Sequence, residues 1–192
     1  MCELPRSDWL HYNAPRDRSA GDDGGWGCVY RAAQNAALAV GARVPSMAMM
    51  IARLGGFSTL RERHPSLWIE PAQAARALEA LSPEVRARPF VVGPRGPHWF
   101  QTTEPSDYET LTPGMILDAI GSLNRWAIVV DNGIAGSTWV PCGNTVVEID
   151  PHVRSQEALR MLLHVMDGPS LRARLGVGFM GALVTLRDSP PS

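Results

Sequence analysis

Between Gly27 and Gly41 the chain runs "CVYRAAQNAALAV", with neither glycine nor proline. Alanine dominates, so this stretch predicts a helix over 28–40 that ends near Gly41. It starts with no spacer after "DDGGWG", and its first residue is Cys28. A helix N-terminus carries unpaired backbone N–H groups and the positive end of the helix dipole, which favour a thiolate. Those N–H groups also suit the oxyanion that forms on an attacked carbonyl. Gly24, Gly25 and Gly27 allow a tight turn and close approach of a substrate chain. The competing reading of Cys28 is a small buried hydrophobe, the usual fate of a free cysteine.

The rest of the chain predicts helices first and mostly antiparallel strands later, an α+β order rather than alternating βαβ units. Residues 1–24 read as loop. A second helix is expected over 46–54, stopped by Gly55-Gly56. A third spans 70–81, with proline in its first turn. Strands are expected at 88–92, 126–131, 145–150 and 178–186. Residues 93–112 read as a long loop, followed by a helix in "TPGMILDAIGSL". Another helix is expected over 155–166, capped by Ser155. The 192 residues suit a single domain, 1–192, with 1–20 and 187–192 as loop or frayed ends.

Charge and cysteine content narrow the class. A net charge of −1 gives no reason to expect binding to nucleic acid or an anionic membrane. The first residues hold acids and prolines with no apolar run, so no signal peptide is expected. No stretch reaches the ~20 apolar residues of a membrane span. Cys2, Cys28 and Cys142 are odd in number and lack metal-like spacing, so reduced thiols in the cytoplasm are expected, with no metal and no cofactor. All 18 basic residues are arginine. A GC-rich genome accounts for that, and avoidance of lysine-directed modification is the sharper alternative.

The second chemical feature is "EIDPHV". Asp150 and His152 are two apart at a strand end, so their side chains share a face. Pro151 biases Asp150 toward extended backbone. Asp150 is then placed to orient the imidazole, and His152 to take the proton of Cys28. In isolation an Asp-Pro-His run is more often only a turn.

"GWGCVYRAAQ" followed far downstream by "DPH" resembles the cysteine proteases specific for the ubiquitin-fold modifier. Gly25, Trp26, Gly27, Cys28, Tyr30, Arg31 and Gln34 match the first box, and Asp150, Pro151 and His152 the second. Asp22-Asp23 resembles an acidic pair that often precedes the first. "LWIEPAQAARALE" resembles the family's Trp-Ile segment leading into a helix. The resemblance implies a papain-like fold, with the helix bearing the nucleophile packed on an antiparallel sheet. It implies catalysis by Cys28, His152 and Asp150. Tyr12 matches a family tyrosine whose hydroxyl helps hold the oxyanion, at a longer spacing from the cysteine. The implied reaction is hydrolysis after the C-terminal glycine of a ubiquitin-like modifier, in maturation and deconjugation. The implied partners are the modifier and its conjugates, met by a monomer through a narrow channel between the Gly25–Trp26 loop and the 131–140 loop. The chain departs from the family at "VVDNGIAGSTWV", where Ser137-Thr138 stands in place of a histidine–threonine pair. Two alternatives stay open: a deubiquitinase or autophagy-modifier protease of the same chemistry, and a catalytically silent module that only binds a modifier.

Other residues carry less. Gln34, Arg31 and Tyr30 are expected to pack or hydrogen-bond within the fold. His64, His98 and His164 have no metal-like spacing. Asp118 and Asp131 have no evident partner, and Cys142 reads as a spectator.

Overall fold

The computed structural model describes residues 9–63, 66–93, 105–153, 155, 157 and 164–187. Among these, six α-helices and a seven-stranded sheet form a mixed α+β fold. The helices are α1 (Cys28–Val40), α2 (Met47–Arg53), α3 (Gly56–Arg63), α4 (Pro71–Leu81), α5 (Pro113–Gly121) and α6 (Gly168–Val177). The strands are β1 (Val85–Val92), β2 (Glu109–Leu111), β3 (Ala127–Asp131), β4 (Gly136–Cys142), β5 (Thr145–Ile149), β6 (His164–Met166) and β7 (Phe179–Leu186).

The sheet runs β2-β1-β7-β3-β4-β5-β6. Every neighbouring pair is antiparallel except β1 and β2, which are parallel. The expectation of an antiparallel sheet therefore holds for six strands and fails at one edge. The chain between residues 92 and 109 is long enough to carry β2 back in the direction of β1.

Strand periodicity divides the interior into two layers. Ala127 and Val129 face one core with Ala182, Val184, Val140, Val147 and Ile149, covered by α1, α2 and α4. Ile128 and Val130 face the other with Phe90, Val92, Trp139 and Phe179, covered by α5 and α6. Both faces are covered, which is why "AIVVD" is buried throughout instead of alternating.

α1 is the central helix. Its residues from Cys28 to Ala37 are all buried, and Ala32, Ala33, Ala36 and Ala37 are inaccessible. Alanine at these positions lets the sheet and α4 approach the helix closely on several sides. Gly41 ends it in the left-handed conformation at φ 81°, returning bonds to Ala37 and Leu38.

Some elements depart from the reading of the sequence. Gly55 and Gly56 do stop α2, at φ 103° and 83°, but α3 restarts at once. The expected loop over 93–112 contains a 3₁₀ turn at Pro105–Asp107 and the short strand β2. The 131–140 loop is the end of β3, a turn and β4. Residues 164–166, expected to finish a helix, form strand β6 instead, where Val165 pairs with Val147 on the edge of β5. Edge pairing there overrides a helix-like local pattern. Most of the remainder of that expected helix lies outside the described residues, as do Cys2, His64 and His98. α6 is an unforeseen helix, capped where the Asp167 side chain accepts from the Ser170 N–H at 2.9 Å. Cys142 is disulfide-bonded, against the expectation of reduced thiols, while Cys28 is free. Sequence spacing says nothing about which cysteines a fold brings together.

Candidate active site

Cys28 is the first residue of α1, after the N-cap Gly27. The turn before it is built on Asp23, whose carbonyl accepts the N–H groups of Gly27 at 2.9 Å and Trp26 at 3.3 Å. A Cβ at Gly27 would stand 2.7 Å from the Asp23 side chain, so only glycine fits there. Gly136, the first residue of β4, is tight for a related reason. A Cβ there would come within 2.8 Å of the Val29 side chain and 3.2 Å of the Cys28 carbonyl carbon. The β3–β4 hairpin thus rests directly on the start of α1. Thr138 extends the contact by donating its hydroxyl to the Ala32 carbonyl at 2.8 Å.

The Asp-Pro-His run follows the end of β5 and reaches the same place. The Asp150 carboxylate accepts the His152 backbone N–H at 2.9 Å and contacts Nδ1 of its ring. A carboxylate can only accept, so Nδ1 carries a hydrogen and Nε2 is left for another partner. The His152 side chain lies close enough to Cys28 for the two groups to interact. The bond from Asp150 and then the nearness of Cys28 raise the His152 pKa to about 9 against the opposing effect of burial. Burial works against the Asp150 carboxylate, but the side-chain and backbone bonds from His152 outweigh it and hold its pKa below the ordinary value.

Tyr12 completes the group. Its side chain lies beside Cys28, and its ring meets that of His152 edge-on with centroids 5.2 Å apart. Burial first, and then Cys28, push the phenol pKa above its ordinary value, so the hydroxyl keeps its proton. The structure therefore brings together all four residues singled out from the sequence: Cys28, His152, Asp150 and Tyr12. Cys28 is only 1% exposed, whereas His152 is exposed at the surface.

The other matched positions of "GWGCVYRAAQ" have structural work. Arg31 donates from Nε to Asp23 at 2.7 Å and from Nη2 to the Asp17 carbonyl at 2.7 Å. Gln34 donates to Asp17 at 2.6 Å and to the Pro45 carbonyl at 2.8 Å. Asn35 makes a two-bond pair with the Leu10 backbone, at 2.7 and 2.9 Å. One buried helix face thereby clasps the N-terminal arm, residues 9–23, which carries Tyr12. Burial opposes the Asp17 carboxylate, but bonds from Ser19, Gln34 and Met47 hold its pKa below the ordinary value. The sequence reading missed Asn35 and Asp17. For Asn35 the available signal is a buried amide in a helix otherwise filled with alanine.

Next to the site stands a row of aromatic and acidic groups. Trp26 meets Tyr30 edge-on at 5.6 Å and Phe57 at 6.3 Å. The Tyr30 hydroxyl donates to the Leu67 carbonyl at 3.5 Å. Asp131, expected to stand without a partner, accepts from Trp68 Nε1 at 3.3 Å and from the Gly133 N–H at 2.8 Å. It is 2% exposed, and burial raises its pKa to about 6. His164 is exposed on β6 and Asp118 is exposed on α5.

Among the described residues, no three His, Cys, Asp or Glu side chains group as a metal site, and no helix is long and apolar enough to cross a membrane. No family model matches the chain, no curated protein matches it, and no solved structure matches it.

Proposed function

We propose that this chain is a papain-like cysteine peptidase that hydrolyses the bond after the C-terminal glycine of a ubiquitin-like modifier, the ubiquitin-fold modifier first among them. One observation carries the reading. The Cys28 side chain lies beside both His152 and Tyr12, close enough to shift the pKa of each, while Asp150 holds the other side of the imidazole.

The roles follow from that arrangement. His152 takes the Cys28 proton, and the sulfur attacks the carbonyl carbon after the modifier's last glycine. The carbonyl oxygen becomes an oxyanion, held by the Cys28 backbone N–H and the protonated Tyr12 hydroxyl. His152 returns the proton to the leaving amine nitrogen, the C–N bond breaks and a thioester remains. Water then attacks the thioester with His152 as base, releasing the glycine carboxylate and the Cys28 thiol. Asp150 stays ionised throughout and keeps the ring oriented. The near-complete burial of Cys28 supports a thin substrate end, since glycine adds no side chain at the point of closest approach. The tight seat of Gly136 on the helix start supports the same narrow passage.

The test is a panel of ubiquitin-like modifiers ending in a glycine electrophile. A thioether to Cys28 with the ubiquitin-fold modifier is the expected product. Adducts with ubiquitin or an autophagy modifier alone would move the specificity. Tight binding of a modifier without any adduct would replace the peptidase with a binding module.

A further inference from the structure

We infer that Asp23 is a positioning residue for this hydrolysis, holding Tyr12 over Cys28 by gripping the backbone one residue beyond it; the inference rests on the reading of the site given above. Three parts of the fold converge on Asp23. The arm reaches it through the Asn13 N–H, which donates to Oδ1 at 2.6 Å. The body of α1 reaches it through Arg31 Nε, which donates to Oδ2 at 2.7 Å. The start of α1 reaches it through the Gly27 N–H, on the Asp23 carbonyl at 2.9 Å. Asp23 is 0% exposed and Arg31 1%, so the pair is shielded from water and its geometry is held.

The clasp is reciprocal at the arm. Asn13 Oδ1 accepts the Asp23 N–H at 3.3 Å, and Asn13 Nδ2 donates to Asp22 at 2.9 Å. Asn13 adopts φ 55°, a left-handed conformation that asparagine tolerates, and so turns the chain directly after Tyr12. On the other side, the Tyr12 N–H donates to the Pro151 carbonyl at 3.0 Å. Tyr12 is therefore fixed at two successive peptide groups. One is tied to the turn that carries His152, the other to the turn that carries Cys28. A phenol held in this way keeps its hydroxyl where an oxyanion forms, and an error near 1 Å in such a group is costly.

The experiment is a cycle of four full-length chains: wild type, Tyr12→Phe, Asp23→Asn and the double variant. Each is assayed for hydrolysis of a glycine-ended fluorogenic ubiquitin-fold modifier. Asp23→Asn is expected to lower kcat by about 10- to 100-fold with KM changed less than about twofold. In the Tyr12→Phe background the same change is expected to cost less than about threefold, because the hydroxyl it positions is gone. Equal losses in both backgrounds would overturn the inference and leave Asp23 a purely structural residue. If Asp23→Asn does not fold, Asp23→Glu takes its place in the cycle, since it keeps a negative charge for Arg31 and moves the carboxylate off the Asn13 N–H. The same two outcomes then decide. If the wild type hydrolyses no glycine-ended modifier, the functional reading fails separately. The placement of Tyr12 is then read from the NMR contact between the Tyr12 and His152 ring protons. Loss of that contact in the Asp23 variant supports the positioning role, and its retention overturns it.

Discussion

The Tyr12 N–H donates to the Pro151 carbonyl at 3.0 Å, joining the N-terminal arm to the middle of the Asp-Pro-His run. The bond is between backbones, so it survives a change of either side chain. It places the Tyr12 ring against His152 and its side chain against Cys28. Tyr12→Phe therefore keeps the arm in place and removes only the hydroxyl. The expected result is a kcat lower by about 10- to 1000-fold, as for loss of one oxyanion donor, with little change in KM. Steady-state kinetics decides, and an unchanged kcat would assign the oxyanion to backbone N–H groups alone.

Cys28, His152 and Asp150 form a chain of contacts, so their losses are not additive. Cys28→Ala is expected to abolish hydrolysis and leave modifier binding intact. His152→Ala should cost nearly as much. Asp150→Asn should cost less, because the ring keeps its contact with Cys28 and loses only its orienting partner. Turnover numbers beside binding constants for the three variants check the order. Full activity in Asp150→Asn would contradict an orienting role.

Gly27 sits where a Cβ would meet the Asp23 side chain at 2.7 Å. The obstruction involves a buried, ion-paired group that has little room to yield. Gly27→Ala should destabilise the fold by about 1–3 kcal/mol, the usual range for forced overpacking. It should also slow hydrolysis by disturbing the start of α1. Urea unfolding measures the first effect, and an unchanged midpoint would show that Asp23 can give way.

These positions differ in how far the sequence revealed them. The contact of Cys28 with His152 was legible because each lies in a short motif with its own chemical logic. The helix over 28–40 was legible because alanine, with glycine at both ends, leaves little else. β4 was not, since "GSTWVPC" contains glycine and proline and owes its strand to pairing with β3 and β5. β6 was hidden for a similar reason, its last residues being claimed by an edge strand rather than by a helix. The grip of Arg31, Gln34 and Asn35 on the arm was beyond reach. Their partners Asp17, Asp23 and Leu10 lie in a stretch without regular structure, and no periodicity marks which loop residue meets which helix face.

His152 links stability to pH. Its pKa rises from 6.5 to about 9 on folding, chiefly through Asp150 and then Cys28. The folded state thus binds the proton more tightly, and the resulting stabilisation is complete below pH 6.5. It fades as the pH climbs through about 9. The ring is partly open to solvent, so the effect is modest in size. The stability of the wild type minus that of His152→Gln should fall across this window. A difference that stays level from pH 6.5 to about 9 would remove the tight proton from the account.

Asp131 supplies the same kind of test in another pH range. It is 2% exposed at the end of β3 and accepts from Trp68 Nε1 and the Gly133 N–H. Burial, aided by the nearby Glu70, raises its pKa from 3.8 to about 6, and the two hydrogen bonds recover only part of that shift. Glu70 is itself buried and accepts the Tyr108 hydroxyl at 3.1 Å, so the acid beside Asp131 is held in place. The sign follows from linkage. The folded chain binds the Asp131 proton more tightly than the unfolded chain, so stability falls as pH rises between the two values. The contribution is full below pH 3.8 and lost as the pH passes about 6. Asp131→Asn removes the titration but retains only one acceptor oxygen. It should therefore sacrifice one of the two bonds, at a pH-independent cost of about 1 kcal/mol. Superimposed on that cost, the advantage of the wild type over Asp131→Asn should be greatest near pH 4 and shrink toward neutrality. Urea unfolding of both chains from about pH 4 to 7 measures the difference directly. Two parallel stability curves would mean that the buried carboxyl ionises as freely in the fold as in the open chain, and that Trp68 and Gly133 fully offset its burial.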